Sequence, residues 1–347
     1  MPVSHLPCVG LIGFGLAGRT FHAPLIQAAG LRIGAVVTSQ CAAVAETVAG
    51  AAVLKSEREL FERDDIDIVV VATPNHLHVS QARAALEAGK HVVIDKPLSV
   101  TAQEARELGQ LARAHALMLA VFHNRRWDSD FLTVRKLIDS GQLGTINAFR
   151  ARWDRFRPVI PDRWKERAHP GNGMLYDLGS HLIDQAVQLF GRPQWLQADV
   201  FMQREGAVVD DGFEILLGNG PLRISLAANS LAASGDWRYV VHGSQASFFK
   251  PGLDPQEDQL RAGMNPLTPG FGVEPEAQWG KVVDGASGHW QLLTAERGRW
   301  LSFYTEVRRS IEMHLPPPVS ADEAAIVIEI LEAALQSSRE RRRIELP

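Results

Sequence analysis

Cys8-Val9-Gly10-Leu11-Ile12-Gly13-Phe14-Gly15-Leu16-Ala17-Gly18 is the stretch whose reading decides the fold. Five residues with strand character run into a glycine turn, and a helical pattern follows from Ala17 to about Ala29. The glycine spacing is GxGxxG, and strand before with helix after is the context that this dinucleotide fingerprint requires. Gly13 permits the tight turn, Gly15 lets the backbone approach a pyrophosphate on the helix N-terminus, and Gly18 lets helix and strand pack closely. Phe14, Leu16 and Ala17 share that loop. A glycine turn that holds no nucleotide is the competing reading.

Outward from this unit, short apolar runs alternate with helical patterns. Strands are expected at 32–37, 66–72, 91–94 and 117–121, the second continuously apolar, as in a parallel sheet buried on both faces. Helices are expected at 75–88, closed by Gly89, and at 102–115, opened by a Thr101/Glu104 capping box. Strand–helix alternation implies right-handed βαβ units and an α/β Rossmann domain with a doubly wound parallel sheet, over residues 1–122. From 123 to 347 the texture changes. Period-two runs at 146–153, 196–204, 212–217, 222–227 and 238–249, with helices at 131–140 and 174–190, predict an α+β domain with a large, mostly antiparallel open sheet. Asn219-Gly220 marks a hairpin. The uncovered sheet face points to a homodimer or homotetramer. Residues 251–288, rich in Pro and Gly but carrying Phe271 and Trp279, read as a long ordered loop. A last helix opens at Ser320/Glu323, and the basic cluster 339–343 lies at its C-terminal end.

Composition removes several function classes. The chain has 347 residues, 46 % of them hydrophobic, and a net charge of −4, so no basic field holds nucleic acid. No apolar run approaches the roughly 20 residues of a bilayer span, and the N-terminus lacks a signal-peptide pattern. Two cysteines, Cys8 and Cys41, exclude a disulfide scaffold and a four-cysteine zinc site. A reducing cytoplasmic home is the expectation.

The chemistry-bearing residues fall at predicted strand ends. After the second strand stands Val37-Thr38-Ser39-Gln40, where NAD-specific folds carry an acid for the ribose 2′-hydroxyl. With no carboxylate there, NADP(H) is preferred and NAD(H) admitted, although no Arg or Lys adjoins this strand end in the sequence. Thr73, Pro74, Asn75 and His78 follow the next strand; Asn75 is a cofactor contact, a helix N-cap, or both. His76 and His78 have no third ligand in view, and no metal is expected. Asp95-Lys96-Pro97 follows the fourth strand, where Lys96 is either a surface charge or an acid/base or electrostatic group. Asp177 and His181, four apart, share one face of a helix; they are either an oriented acid/base pair or a helix-terminal carboxylate with a buried histidine.

Taken together, the glycine run 13–18, Asp95-Lys96-Pro97 and the Asp177/His181 pair resemble the Gfo/Idh/MocA oxidoreductase family (glucose–fructose oxidoreductase / inositol dehydrogenase), over nearly the whole chain. Residues 122–128, 175–185 and 256–263 are most similar to the branch containing NADP-dependent scyllo-inositol dehydrogenases. That branch often has Arg where this chain has Gln40, and the family's usual Glu-Lys-Pro is Asp-Lys-Pro here. The resemblance implies hydride transfer between a nicotinamide and a secondary alcohol of a cyclic polyol or sugar. In it His181 is the base, Asp177 orients it, and Lys96 donates to the developing oxyanion. It also implies cofactor contacts along Thr38–Gln40, Thr73–Asn75, His78, Asp95–Pro97 and Asn124, and substrate contacts at Asn124, Trp153 and Asp154. Two other classes share the fingerprint: a glycoside hydrolase that oxidises sugar C3 transiently with bound NAD, and a non-catalytic NADP(H) sensor. The sensor reading has no use for Lys96, Asp177 and His181 together.

Overall fold

The computed structural model describes residues 6–233 and 237–347. The chain forms two compact units, each discontinuous in sequence. The first takes residues up to 124 with 256–271 and 299–325; the second takes 125–255, 272–298 and 326 onward.

In the first unit, β1 (Cys8–Ile12), β2 (Arg32–Val37), β3 (Ala52–Leu54), β4 (Ile68–Val71), β5 (His91–Asp95) and β6 (Leu119–Phe122) form one sheet. Their order is β3-β2-β1-β4-β5-β6, and every pair is parallel. β1 and β4 are buried along their whole length, as expected of strands covered on both faces. Strand order reverses at β1, which puts a ligand crevice at the carboxyl ends of β1 and its neighbours. The Thr101/Glu104 capping box forms with both of its hydrogen bonds at the start of helix Ala102–Ala114. The segments distant in sequence complete the core. Trp300, Phe303 and Tyr304 are fully buried at the start of and within helix Leu301–Met313. Trp300 packs edge-on against Phe21 at 5.9 Å, and Phe303 against Phe122 at 4.9 Å. Val121 N donates to Val319 O at 3.1 Å, and Trp300 N to the Gln256 side chain at 2.7 Å.

The second unit holds β7 (Ile146–Arg152), β8 (Trp195–Phe201), β9 (Gly212–Asn219), β10 (Leu222–Asn229), β11 (Tyr239–Gly243), β12 (Ala246–Lys250), β13 (Gly280–Asp284), β14 (Trp290–Leu293) and β15 (Ile344–Glu345). Their order is β14-β13-β12-β11-β7-β10-β9-β8-β15. All neighbours are antiparallel except β7 and β10. The β9–β10 hairpin turns through Gly220, at φ 53°, and Pro221. Two expectations are corrected. The single strand at 238–249 is a hairpin, because Ser244-Gln245 turns the chain without the Asn-Gly or Pro signal that betrays a turn. The loop at 251–288 contains helix Gln256–Arg261 and strand β13.

One face of the nine-stranded sheet is the core. Phe149, Phe213, Ile215, Leu217, Ile224 and Phe248 pack there with Leu182, Ile183 and Ala186 of helix Ser180–Phe190, and with Val327, Ile330 and Leu331 of helix Ala321–Glu340. A buried ion pair fastens the edge of this unit. Lys250 Nζ lies 2.8 Å from Glu274, whose other oxygen accepts from Ser129 Oγ at 2.5 Å, and Lys250 also donates to the carbonyls of Pro251 and Gln278.

Candidate active site

The fingerprint loop has the three glycine environments the motif requires. Gly13 sits at φ 91°, and a Cβ there would lie 2.5 Å from Ala72 O. A Cβ at Gly18 would lie 2.2 Å from Gly13 O, which is the close helix–strand approach. A Cβ at Gly15 would meet nothing within 4 Å. This open side, at a helix start and a sheet carboxyl end, fits a dinucleotide pyrophosphate. Phe14 is buried and Leu16 half exposed. The helix begins as a wide, π-type stretch at Ala17–His22 before tightening at Ala23–Ala28, a local geometry frequent at functional sites.

At the end of β2, Thr38 N donates to Leu54 O at 3.3 Å, and Thr38 Oγ1 accepts from Gln40 N at 3.1 Å; Ser39 and Gln40 are exposed. The sequence expectation that no cation adjoins this strand end is corrected by the register. β3 pairs Leu54 with Val37, and Lys55 and Thr38 are the next residues of the two strands.

Thr73–Asn75 follow β4. Pro74 occupies the cap position and Asn75 is the first helical residue, so the N-cap reading of Asn75 is corrected. Thr73 Oγ1 donates to Gln81, whose amide donates to Glu57, both at 2.5 Å. His78 is fully buried, with Nδ1 2.8 Å from Pro97 O and Nε2 2.9 Å from Thr73 O. Burial pushes its pKa below the usual imidazole value against these carbonyls. The neutral ring donates to one of them at a time and so ties the β4 and β5 turns together.

The peptide before Pro97 is cis. Asp95 Oδ1 accepts from Lys96 N at 2.7 Å. Its other oxygen lies 3.8 Å from Nε2 of the buried His22, whose Nδ1 is 2.6 Å from Tyr304 Oη. Burial alone would raise the Asp95 pKa, but its neighbours His22 and Lys96 hold it down at about 2. Asp95 is thus ionised at neutral pH and holds the backbone of Lys96. Asn124 is buried at the start of the short 3-10 turn Asn124–Trp127. His22 and Tyr304 were not singled out from sequence; they are 282 residues apart, and a histidine on a helix's inward face carries no pattern of its own.

In the second unit, Asp177 and His181 lie on one continuous helix that is wide over Leu175–Gly179 and regular from Ser180 to Phe190. Asp177 Oδ1 accepts from Lys165 Nζ at 2.6 Å. His181 is 5 % exposed, and its ring lies 6.0 Å from that of Trp153. The Trp153 indole is itself buried under the guanidinium of Arg125 at 4.3 Å, and its N–H has no hydrogen-bond partner among the described residues. Asp154 accepts from Arg152 Nε at 2.9 Å. A concave surface containing Asp177 and Lys165 is also lined by Arg155, Arg157, Arg204 and Asp210. Asp210 accepts from Leu175 N at 2.6 Å, and burial raises its pKa to about 6 despite those amide donors. Below His181 the helix is anchored by a buried bidentate pair between Asp184 and Arg126, with contacts of 2.7, 2.9 and 3.2 Å. Gln185 accepts from Arg238 and Tyr239. Among the described residues no cluster of three metal-ligating groups occurs, and no helix is long and apolar enough to cross a membrane.

Comparison with known proteins places this geometry. Residues 8–123 match the family model described as oxidoreductase family, NAD-binding Rossmann fold, and residues 135–346 match that of its C-terminal alpha/beta domain. A Bacillus subtilis (strain 168) protein named scyllo-inositol 2-dehydrogenase (NADP(+)) IolW is 39 % identical, over 97 % of this chain and 95 % of that protein. The uncharacterized oxidoreductase YdgJ of Escherichia coli (strain K12) is 41 % identical over 96 % of each chain. The solved structure of yvaA from Bacillus subtilis superposes with a TM-score of 0.95 at 39 % identity, covering 98 % of both chains. With the glycine crevice, the six-stranded parallel sheet and the nine-stranded sheet in place, the chain belongs to the Gfo/Idh/MocA family of NAD(P)-binding oxidoreductases.

Proposed function

We propose that this oxidoreductase transfers a hydride between NADP(H) and a secondary alcohol carbon of an inositol-like cyclic polyol or sugar. The observation that carries the reading is the arrangement along the sheet's carboxyl end. The open face of Gly15 follows β1, and an ionised Asp95 holds the backbone of Lys96 at the end of β5, two strands away in the order β1-β4-β5. The name of the Bacillus subtilis relative supports the substrate class and the 2′-phosphorylated cofactor. When bound, the nicotinamide supplies the hydride acceptor or donor.

The chain's own groups do the rest. His181 takes the hydroxyl proton during oxidation, a task that suits an imidazole. Asp177, held by Lys165, orients it. Lys96 donates to the oxygen on which negative charge develops. Gly13 to Gly18, Thr38 to Gln40, Thr73 to Asn75 and Asn124 hold the cofactor, with the buried His78 bracing the β4 and β5 turns behind them and Asn124, Trp153 and Asp154 on the substrate side. The outward sheet face carries Leu216, Phe249, Leu292 and Trp290, with Lys281 Nζ 5.7 Å from the Phe249 ring and 5.9 Å from that of Trp290. We assign this face to a homodimer contact, which Leu216→Lys should weaken in light scattering.

The test of function is reduction of NADP⁺ and NAD⁺ during incubation with inositols, aldoses and sugar acids. Activity on a cyclic polyol or sugar is expected. His181→Ala and Asp177→Asn should each lower kcat by roughly 10²–10⁴-fold, with the double variant little worse than the poorer single one. Absence of turnover on every polyol and sugar would overturn the substrate class. A His181→Ala enzyme with unchanged kcat would overturn the role of the histidine.

A further inference from the structure

The end of β2 is completed by a residue that the linear sequence hides. β2 and β3 run parallel in the register Ala35–Ala52, Val36–Val53, Val37–Leu54, and Thr38 N donates to Leu54 O. Lys55 therefore leaves β3 at the level where Thr38 and Ser39 leave β2, at the carboxyl end of the sheet where the adenosine ribose of a dinucleotide lies. Lys55 is exposed and makes no hydrogen bond or ion pair among the described residues. The acids that follow it are occupied elsewhere. Glu57 accepts from Gln81 Nε2 at 2.5 Å, Glu59 accepts from Ser56 Oγ at 2.8 Å, and Glu62 is paired with Arg58 at 2.7 Å. Thr38 Oγ1 accepts from Gln40 N, which leaves the hydroxyl proton available to donate. The residues by which the two strands leave the sheet, Thr38 and Ser39 from β2 and Lys55 from β3, thus bring two hydroxyls and an amine to this strand end and no carboxylate.

We propose that Lys55 is the cation that reads the ribose 2′-phosphate and that it, with Ser39, sets preference for NADP(H) over NAD(H). The proposal rests on the NADP(H) reading above and names the residue behind it. A 2′-phosphate carries close to two negative charges and gains from an ammonium at contact distance, whereas a 2′-hydroxyl gains almost nothing. The discrimination is electrostatic and so falls with salt. Between about 0.1 M and about 1 M the Debye length shrinks from about 10 Å to about 3 Å.

The experiment is calorimetric titration of the full chain, without substrate, by NADP⁺ and by NAD⁺, and by the fragments 2′,5′-ADP and 5′-AMP. Lys55→Met should raise the Kd for NADP⁺ and 2′,5′-ADP about 10-fold, the scale of one charge-assisted contact, while NAD⁺ and 5′-AMP stay within about 2-fold. Lys55→Arg should retain the preference, and Lys55→Glu should reverse it. The salt dependence of the NADP⁺/NAD⁺ ratio should flatten in Lys55→Met. A wild type that favours NADP⁺ with a Lys55→Met variant that favours it equally would overturn the role of Lys55 and leave the NADP(H) reading standing. A wild type that binds both dinucleotides alike would overturn the reading and the proposal together. Because Lys55 lies on the surface outside the core, these substitutions leave folding intact.

Discussion

Adding one methyl group at Gly15 and one at Gly18 should produce opposite defects, although the two glycines are three residues apart. At Gly18 the new Cβ would stand 2.2 Å from Gly13 O and 3.1 Å from its carbonyl carbon. Ordinary carbon–oxygen contacts begin at about 3.3 Å, so helix and turn must part by about 1 Å. The obstacle is backbone, which cannot rotate away, and overpacking of this kind costs about 1–3 kcal/mol. At Gly15 the Cβ meets nothing within 4 Å, so Gly15→Ala should leave stability unchanged or raise it by about 0.4–1 kcal/mol through the unfolded chain. The same methyl then occupies the space a pyrophosphate needs. Urea unfolding without cofactor and calorimetric titration with NADP⁺ separate the two. Gly18→Ala should lose stability, and Gly15→Ala should lose at least about 10-fold in affinity while unfolding like the wild type. A Gly15→Ala protein that binds dinucleotide normally would refute the assignment of this crevice. A Gly18→Ala protein of unchanged stability would refute the packing argument.

Two further outcomes concern the second unit. Asp184→Asn should destabilise by about 3–5 kcal/mol, because it leaves the buried Arg126 without its bidentate partner, and joint replacement by Arg126→Met and Asp184→Leu should recover most of that loss; a single-variant urea midpoint within about 1 kcal/mol of wild type would show that the pair contributes little. Asp210 has a folded-state pKa of about 6 against a reference of 3.8, so the fold favours its protonated form. Its contribution to stability is fully present below about pH 4 and lost as pH rises through 6. Asp210→Asn should therefore unfold like wild type near pH 4 and be more stable by about 1–3 kcal/mol at pH 8, with the difference opening between those values; a pH-independent difference would sink the argument.

The elements visible in the sequence were those whose cause is local. β1, the glycine loop and β4 are specified by five to eleven consecutive residues, and the Thr101/Glu104 and Ser320/Glu323 boxes form as their spacing indicates. A third such signature, Ser56 with Glu59, opens a helix of only five residues behind a three-residue strand, both too short for periodicity to mark. What stayed hidden was set by pairing across the chain. Lys55 meets the end of β2 only through parallel register. Asp184 meets Arg126 across 58 residues, and Arg238 meets Asp130 across 108. An isolated arginine or aspartate in a sequence reads as solvated surface until its partner's position is known. The same holds for the candidate site. The residues at strand ends and on one helix face were legible, whereas those that hold them, His22, Tyr304, Lys165 and Arg126, were not.

The composition of the first unit has a consequence for biosynthesis. Its amino-terminal strands and helices are made early, yet Trp300, Phe303 and Tyr304, which pack on Phe21, Phe122 and His22, are encoded about 200 residues later. At roughly 5–20 residues per second, about 10–40 s of translation separate the two. Over that interval Phe21, His22 and Phe122 lack the aromatic side chains that cover them in the finished fold. A fragment ending at residue 124 would leave those rings uncovered, so cutting the chain where its last parallel strand ends removes part of the core on which the glycine crevice is built.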